Sequence, residues 1–126
     1  MDGDIAIGHS LGGLFWLDWL EQTEKYLKAL FLVATPNPLL DRFNPGDDKI
    51  FRTKIESFSS AAQSRVGNVR VFESDNDPYI PVGTGKKIAE ILGGDYRHIE
   101  NAGHFNADFG YDSFPLILNQ ILEDLS

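Results

Sequence analysis

Short apolar runs alternate along the chain with longer segments of helical periodicity. The apolar runs at 5–8, 29–33 and 69–72, with a weaker one at 96–99, predict four strands. The run 29–33 is continuous, which is typical of a strand buried on both faces of a parallel sheet. Helices are predicted at 14–28, 49–66, 81–92 and 111–125, and the segment 35–45, with three prolines and two asparagines, predicts a loop.

This alternation predicts an α/β fold: an open parallel sheet of about four strands, flanked by helices in a three-layer arrangement. Right-handed crossovers in one direction would place the first three helices on one face and the last on the other. Ligands of such sheets bind at the carboxyl ends of the strands. Sites are therefore expected near 8–12, 34–46, 73–81 and 100–106. The 126 residues suit a single domain over 1–126.

The composition of the chain argues against some classes of binding partner. Apolar residues make up 42% and the formal net charge is −8. Such an acidic surface repels phosphate, so neither nucleic acid nor an anionic membrane is expected as a partner. The longest stretch without a polar residue or glycine has six residues, whereas a membrane-spanning helix needs about twenty. The start of the chain shows no secretory signal, so we expect a soluble, cytoplasmic domain.

The pattern Gly-x-Ser-x-Gly occurs at Gly8, Ser10 and Gly12. It lies between a predicted strand and a predicted helix, as a nucleophile elbow requires. The glycines would allow a tight turn that exposes the Ser10 hydroxyl, and the Leu11 N–H would face a developing oxyanion. The alternative is a glycine-rich turn with an incidental serine. Phosphate-binding glycine patterns fail at 83–88.

A serine nucleophile needs a base and an orienting acid, in the chain order Ser, Asp or Glu, then His for this class of fold. Asp77 follows the third predicted strand, with Asp75 as the competing choice. Both carboxylates would also suit an ordinary turn before a helix.

Three histidines are candidates for the base. His104 lies in the loop after the fourth predicted strand, at the correct edge of the sheet, and is the favoured one. His9 is expected to pack or hydrogen-bond locally, and His98 to occupy a surface position on a strand. The absence of cysteine excludes a thiolate nucleophile, and the histidine spacing gives a metal site little support.

Several segments also resemble a known family. They are 7–13, 28–33, the pattern Ser74-x-x-Asp77-x-x-Ile80-Pro81, and Gly103-His104-Phe105 with Gly110, Phe114 and Pro115. Over nearly its whole length, the chain resembles the small lidless α/β-hydrolases of the retinoblastoma-binding-protein type, a serine hydrolase family. The resemblance implies Ser10 as nucleophile, Asp77 as acid, His104 as base and the Leu11 N–H as one oxyanion donor.

The chain departs from that family at its start. Family members carry further strands, helices and a second oxyanion donor before the elbow strand, so the chain resembles a member without its N-terminal third. The strand edge at Ile5 and Ile7 would then be unpaired, a template for a homodimer or for the missing segment. The unpaired edge would make the isolated chain unstable. One missing oxyanion donor costs about 10²–10³ in rate, so the chain is otherwise expected to be weakly active.

The expected activity is that of a carboxylesterase on small esters, with no metal or organic cofactor. His9, Phe43, Phe58 and Phe105 are candidates for lining a shallow pocket, although Phe43 and Phe58 would equally well close the core. The alternatives are a protein-interaction module with a vestigial triad, or an inactive fragment of a longer hydrolase.

Overall fold

The computed structural model describes residues 4–36, 58, 60–105, 119 and 122. Four strands are present: β1 Ile5–His9, β2 Leu27–Val33, β3 Val66–Ser74 and β4 Asp95–Ile99. Between them lie α1 Leu11–Gln22, α2 Ser60–Gln63 and α3 Thr84–Leu92. Each of the four predicted strands is confirmed, and each is one to five residues longer than its apolar run.

The strands form one sheet in the order β1-β2-β3-β4, and every pair is parallel. The order confirms the predicted open parallel sheet. Since all four strands run the same way, their carboxyl ends meet at one edge, near His9, Val33, Ser74 and Ile99. The segments that follow the strands are thereby brought together.

The three described helices pack on the same face of the sheet. Their buried side chains form one cluster with alternate residues of the strands: Leu14, Leu17, Leu20, Ala62, Ile88, Ala89 and Leu92 with Ala6, Leu30, Leu32, Val69 and Val71. This confirms the expectation that the first three helices share a face, which follows from crossovers of one hand stepping in one direction.

The opposite face carries a second cluster, in which Phe31, Val33 and Phe72 pack against Ala102 and Phe105 from the segment after β4. The predicted helix 111–125 lies outside the described residues except for positions 119 and 122, both of which are helical. Its expected role as the cover of this second face therefore stays a prediction.

Helix α1 differs from its predicted bounds of 14–28. It begins at Leu11, directly after the elbow, and ends before Thr23, which is extended and donates its N–H to the Trp19 carbonyl at 2.9 Å. The predicted helix is too long because the residues from Leu27 onward belong to strand β2. Leu27 is 5% exposed in the sheet, and its N–H donates to the Arg65 carbonyl. Of the predicted helix 49–66, the described part is helical only over Ser60–Gln63, and positions 49–57 lie outside the described residues.

A buried carboxylate fixes the start of α3. Glu73 is 2% exposed and accepts hydrogen bonds from the Gly83 and Gly85 N–H groups and from the Tyr96 hydroxyl at 2.6 Å. A negative charge is stabilised at a helix N-terminus by the unpaired N–H groups there. The burial and the bond to Glu73 raise the pKa of Tyr96. These contacts hold Gly83 next to Glu73, and so fix the two ends of the loop that carries Asp77.

Strand β1 is an edge strand of the described sheet, and its first residue, Ile5, is 49% exposed. The expected association through the edge at Ile5 and Ile7 stays a prediction. Among the described residues, no helix combines the length and the apolar character needed to cross a bilayer.

Close backbone packing joins β1 to α1. A Cβ atom at Gly8 would lie 2.5 Å from the Gly13 Cα, and one at Gly13 would overlap the Thr35 hydroxyl. By contrast, a Cβ at Gly12 would meet no described atom within 4 Å. Among the described atoms, the close contacts of this turn are thus made by Gly8 and by Gly13, which the motif does not include.

We expect Gly8→Ala to lower the free energy of unfolding by about 1–3 kcal/mol, because its methyl group must displace the backbone of α1. Gly12→Ala is the matched control. It adds a methyl group to the first turn of the same helix without a clash, and should leave stability unchanged or raise it by up to about 1 kcal/mol. Chemical denaturation of both variants measures the difference, and equal losses would contradict the packing described for Gly8.

Candidate active site

Ser10 lies at the sharp turn between β1 and α1. Its φ of 58° and ψ of −124° are unusual for any residue other than glycine. Such a conformation costs about 1–3 kcal/mol and persists only where its surroundings enforce it. Here the Ser10 N–H donates to the Val33 carbonyl at 2.8 Å, and the Ser10 carbonyl accepts from the Gly13 N–H at 3.1 Å. The backbone of the turn is thus anchored to both β2 and α1.

The side chains of Ser10, Asp77 and His104 form one hydrogen-bonded chain. His104 Nε2 lies 2.9 Å from Ser10 Oγ, and His104 Nδ1 lies 2.8 Å from Asp77 Oδ2. The Asp77 and His104 side chains are 1% and 11% exposed. The structure therefore brings together three residues that the sequence had suggested as a set.

The carboxylate fixes which nitrogen of His104 carries a proton. Because a carboxylate only accepts hydrogen bonds, Nδ1 must be the donor, which leaves the lone pair of Nε2 to accept from the Ser10 hydroxyl. Asp77 Oδ1 accepts from the Tyr79 N–H at 2.8 Å and from the Ile80 N–H at 3.0 Å. One carboxylate oxygen thus holds the loop while the other faces the imidazole.

Asp75, the competing choice for the acid, has other partners. Its Oδ1 accepts from the Asn101 N–H at 2.9 Å, and its Oδ2 lies 3.8 Å from His98 Nε2. The His98 side chain is 41% exposed, in line with the surface strand position expected for it. The geometry therefore selects Asp77, and not Asp75, as the partner of His104.

His9 contacts the backbone of the candidate base. Its Nε2 lies 2.6 Å from the His104 carbonyl, to which it must donate, and the two rings are 5.1 Å apart. Burial lowers the pKa of His9, and the charge of His104 acts in the same direction, whereas the hydrogen bond opposes it. His9 is thus a donor that holds the His104 backbone, whereas the sequence predicted packing or a local hydrogen bond for it.

Tyr79 is a neighbour of His104 that sequence reasoning missed. Its ring meets the His104 ring edge-on, with centroids 5.1 Å apart and planes at 76°, and the residue is 66% exposed. The His104 imidazole consequently has a contacting ring from both His9 and Tyr79. The only sequence signal was the position of Tyr79 two residues after the candidate acid.

Leu11 is the first residue of α1 and directly follows Ser10. The first N–H groups of a helix have no partner within the helix, and they carry its partial positive charge. The Leu11 N–H is therefore available for a negative charge that develops beside Ser10 Oγ.

Two aromatic residues predicted as pocket-lining candidates lie in the core instead. Phe58 is 7% exposed and belongs to the cluster beneath the helices, and Phe105 is 1% exposed in the cluster on the opposite face. Side chains so enclosed cannot line an open pocket, so the alternative of closing the core holds for Phe58. Phe43 lies outside the described residues. Within the described ranges, no group of three or more histidine or carboxylate side chains is placed to hold a metal ion.

Comparisons with solved structures identify the fold of the chain. The chain is similar to a YdeN-like protein from Pectobacterium atrosepticum, with 26% identity and a TM-score of 0.68 over 94% of this chain and 57% of that one. It is similar to the ydeN gene product from B. subtilis, with 23% identity and a TM-score of 0.73 over 94% and 63%. It is also similar to the mouse alpha/beta hydrolase domain-containing protein 10, with 19% identity and a TM-score of 0.53 over 100% and 64%.

These likenesses confirm the α/β-hydrolase fold, and the chain spans less than two thirds of the length of each of these structures. No curated protein matches the chain. The narrower resemblance to the retinoblastoma-binding-protein type, and the absence of an N-terminal third, stay predictions. A family model described as serine hydrolase matches residues 2–123, nearly the full length. The chain belongs to the serine hydrolase family.

Proposed function

We propose that this protein is an esterase that cleaves small carboxylic esters through an acyl-enzyme at Ser10. The observation that carries the proposal is the continuous hydrogen-bonded chain from Asp77 Oδ2 through both nitrogens of His104 to Ser10 Oγ. A serine hydroxyl is a weak nucleophile until a base takes its proton, and this arrangement supplies that base in the required tautomer.

In the first half-reaction, Ser10 Oγ attacks the acyl carbon of the ester while its proton passes to His104 Nε2. The negative charge that develops on the carbonyl oxygen is stabilised by the Leu11 N–H at the start of α1. Asp77 stabilises the imidazolium that forms, since its buried carboxylate lies 2.8 Å from Nδ1. His104 then gives its proton to the departing alcohol oxygen, which leaves an ester between Ser10 and the acyl group.

In the second half-reaction, a water molecule attacks the acyl-enzyme and gives its proton to His104 Nε2. Collapse of the tetrahedral intermediate releases the carboxylic acid and returns the proton to Ser10 Oγ. His104 carries each proton, and since ester hydrolysis changes no oxidation state, the reaction needs no redox cofactor.

Two features support a small, uncharged ester as the substrate class. The exposed Tyr79 ring contacts His104, which suits an open site with an aromatic surface beside the base. The formal net charge of −8 disfavours anionic substrates such as phosphodiesters.

Replacing Ser10 with alanine should lower kcat for p-nitrophenyl acetate by at least about 10³, because removal of the nucleophile abolishes the acyl-enzyme route. Ser64→Ala is the matched control, since Ser64 is exposed in the turn before β3 and the described bond of its hydroxyl is to the Ala61 carbonyl. It should keep the parent rate. An unchanged rate in a folded Ser10→Ala protein would contradict the proposal.

Activity should fall as the pH falls, because His104 must be neutral to take the Ser10 proton. We expect kcat/KM to fall towards acid pH through a single ionisation. Burial lowers the pKa of His9, which favours the neutral form of that residue. Stopped assays from about pH 5 to pH 8 measure the profile. His98→Gln should leave it in place, and a flat profile would contradict His104 as the base.

A further inference from the structure

Two loops at the carboxyl edge of the sheet are joined by a series of consecutive hydrogen bonds. We call residues 74–77, which begin at the last residue of β3, the acid loop, and residues 101–105, which follow β4, the base loop. The side chains of the acid loop accept from four successive residues of the base loop: Asp75 from the Asn101 N–H (2.9 Å), Ser74 from the Ala102 N–H (3.0 Å), Asn76 from the Gly103 N–H (2.7 Å) and Asp77 from His104 Nδ1 (2.8 Å).

From this pattern we propose that Ser74 and Asn76 are positioning residues that place His104 between Asp77 and Ser10, with Asp75 assisting at the exposed end. The catalytic part of this inference rests on the proposed esterase function. Neither Ser74 nor Asn76 has a described bond to the Ser10 side chain or to the His104 ring, so both act through the backbone of the base loop.

The base loop adopts a conformation that its own residues disfavour. Asn101 has a φ of 55°, Gly103 of 56° and Phe105 of 54°. For residues with a Cβ atom, the left-handed region brings that atom close to the carbonyl oxygen. The backbone bond described within the loop is that from the Phe105 N–H to the Ala102 carbonyl, at 2.9 Å. The loop therefore depends on acceptors outside itself.

Ser74 and Asn76 supply those acceptors as a coupled pair. The Ser74 hydroxyl donates to Asn76 Oδ1 at 2.7 Å while its oxygen accepts from the Asn76 and Ala102 N–H groups. Asn76 Oδ1 accepts a second bond, from the Gly103 N–H. Ser74 is fully buried at the end of β3, so the pair is anchored to the sheet.

The position of the pair explains why it bears on catalysis. Gly103 directly precedes His104, so the bond from its N–H to Asn76 fixes the position of the backbone immediately before His104. The imidazole must meet two partners at once, at 2.8 and 2.9 Å. A misplacement of about 1 Å is enough to cost on the order of 10² in rate. Asp75 is 40% exposed at its side chain and lies at the outer end of the series, where solvent competes for the bond.

The test compares Asn76→Ala, Asn76→Asp and the control Asn68→Ala, which removes an exposed asparagine side chain from β3. Asn76→Asp keeps an oxygen that accepts from Gly103 and Ser74, whereas Asn76→Ala removes it.

The first readout is the NMR resonance of the His104 Nδ1 proton in protein labelled with ¹⁵N-histidine, assigned by its loss in His104→Gln. This resonance reports the bond to Asp77 directly and requires no turnover.

We expect the Nδ1 resonance to persist in Asn68→Ala and Asn76→Asp and to shift upfield or disappear in Asn76→Ala. For p-nitrophenyl acetate, kcat of Asn76→Ala should fall by about 10- to 10²-fold with KM little changed, and Asn76→Asp should recover most of it. A change in KM alone would contradict a positioning role.

An unaltered resonance and kcat in a folded Asn76→Ala protein would overturn the inference. If Asn76→Ala does not fold, Asn76→Asp decides, because loss of the resonance in that folded variant would equally overturn it. If the parent protein hydrolyses no ester while the resonance still follows the expected pattern, the proposed function fails and the positioning of His104 stands.

Discussion

The candidate site depends on the parallel pairing of four strands, which brings their carboxyl ends to one edge of the sheet. Ser10, Asp77 and His104 are separated by 67 and 27 residues along the chain, yet each follows a strand at that edge. Because the strand order runs in one direction, all three described helices pack on one face of the sheet. The loops that carry Asp77 and His104 follow the strands at the carboxyl edge. The sheet thus supplies the framework, and the loops supply the chemistry.

Unfavourable backbone conformations gather at the same edge. The described non-glycine residues with positive φ are Ser10, Ala34, Asn101 and Phe105, and each lies in a segment that follows the carboxyl end of a strand. Each is held by neighbouring structure, as where the Ala34 N–H donates to the Phe72 carbonyl at 3.0 Å. Strain at a functional site is stable when packed elements enforce it, and hydrogen bonds of this kind hold the backbone at Ser10.

Much of this could be predicted from the sequence because it depends on local pattern. Apolar runs identified the strands, and the Gly-x-Ser-x-Gly pattern located Ser10 because a strand–turn–helix junction has a local signature. The end of α1, the packing of Gly13 against Thr35 and the burial of Phe105 depend on contacts between distant segments. The bonds from the acid loop to the base loop were also missed, since hydrophobic periodicity carries no information about which loops meet.

The central claim is that Ser10 is an activated nucleophile, and labelling with a fluorophosphonate tests it most directly. Such a reagent requires an activated serine but makes few demands on substrate shape, and peptide mass spectrometry identifies the modified residue. The account predicts an adduct on Ser10 that is lost in His104→Ala, while the exposed Ser64 stays unmodified. A folded protein with no adduct on Ser10, or with an adduct that persists without His104, would contradict it.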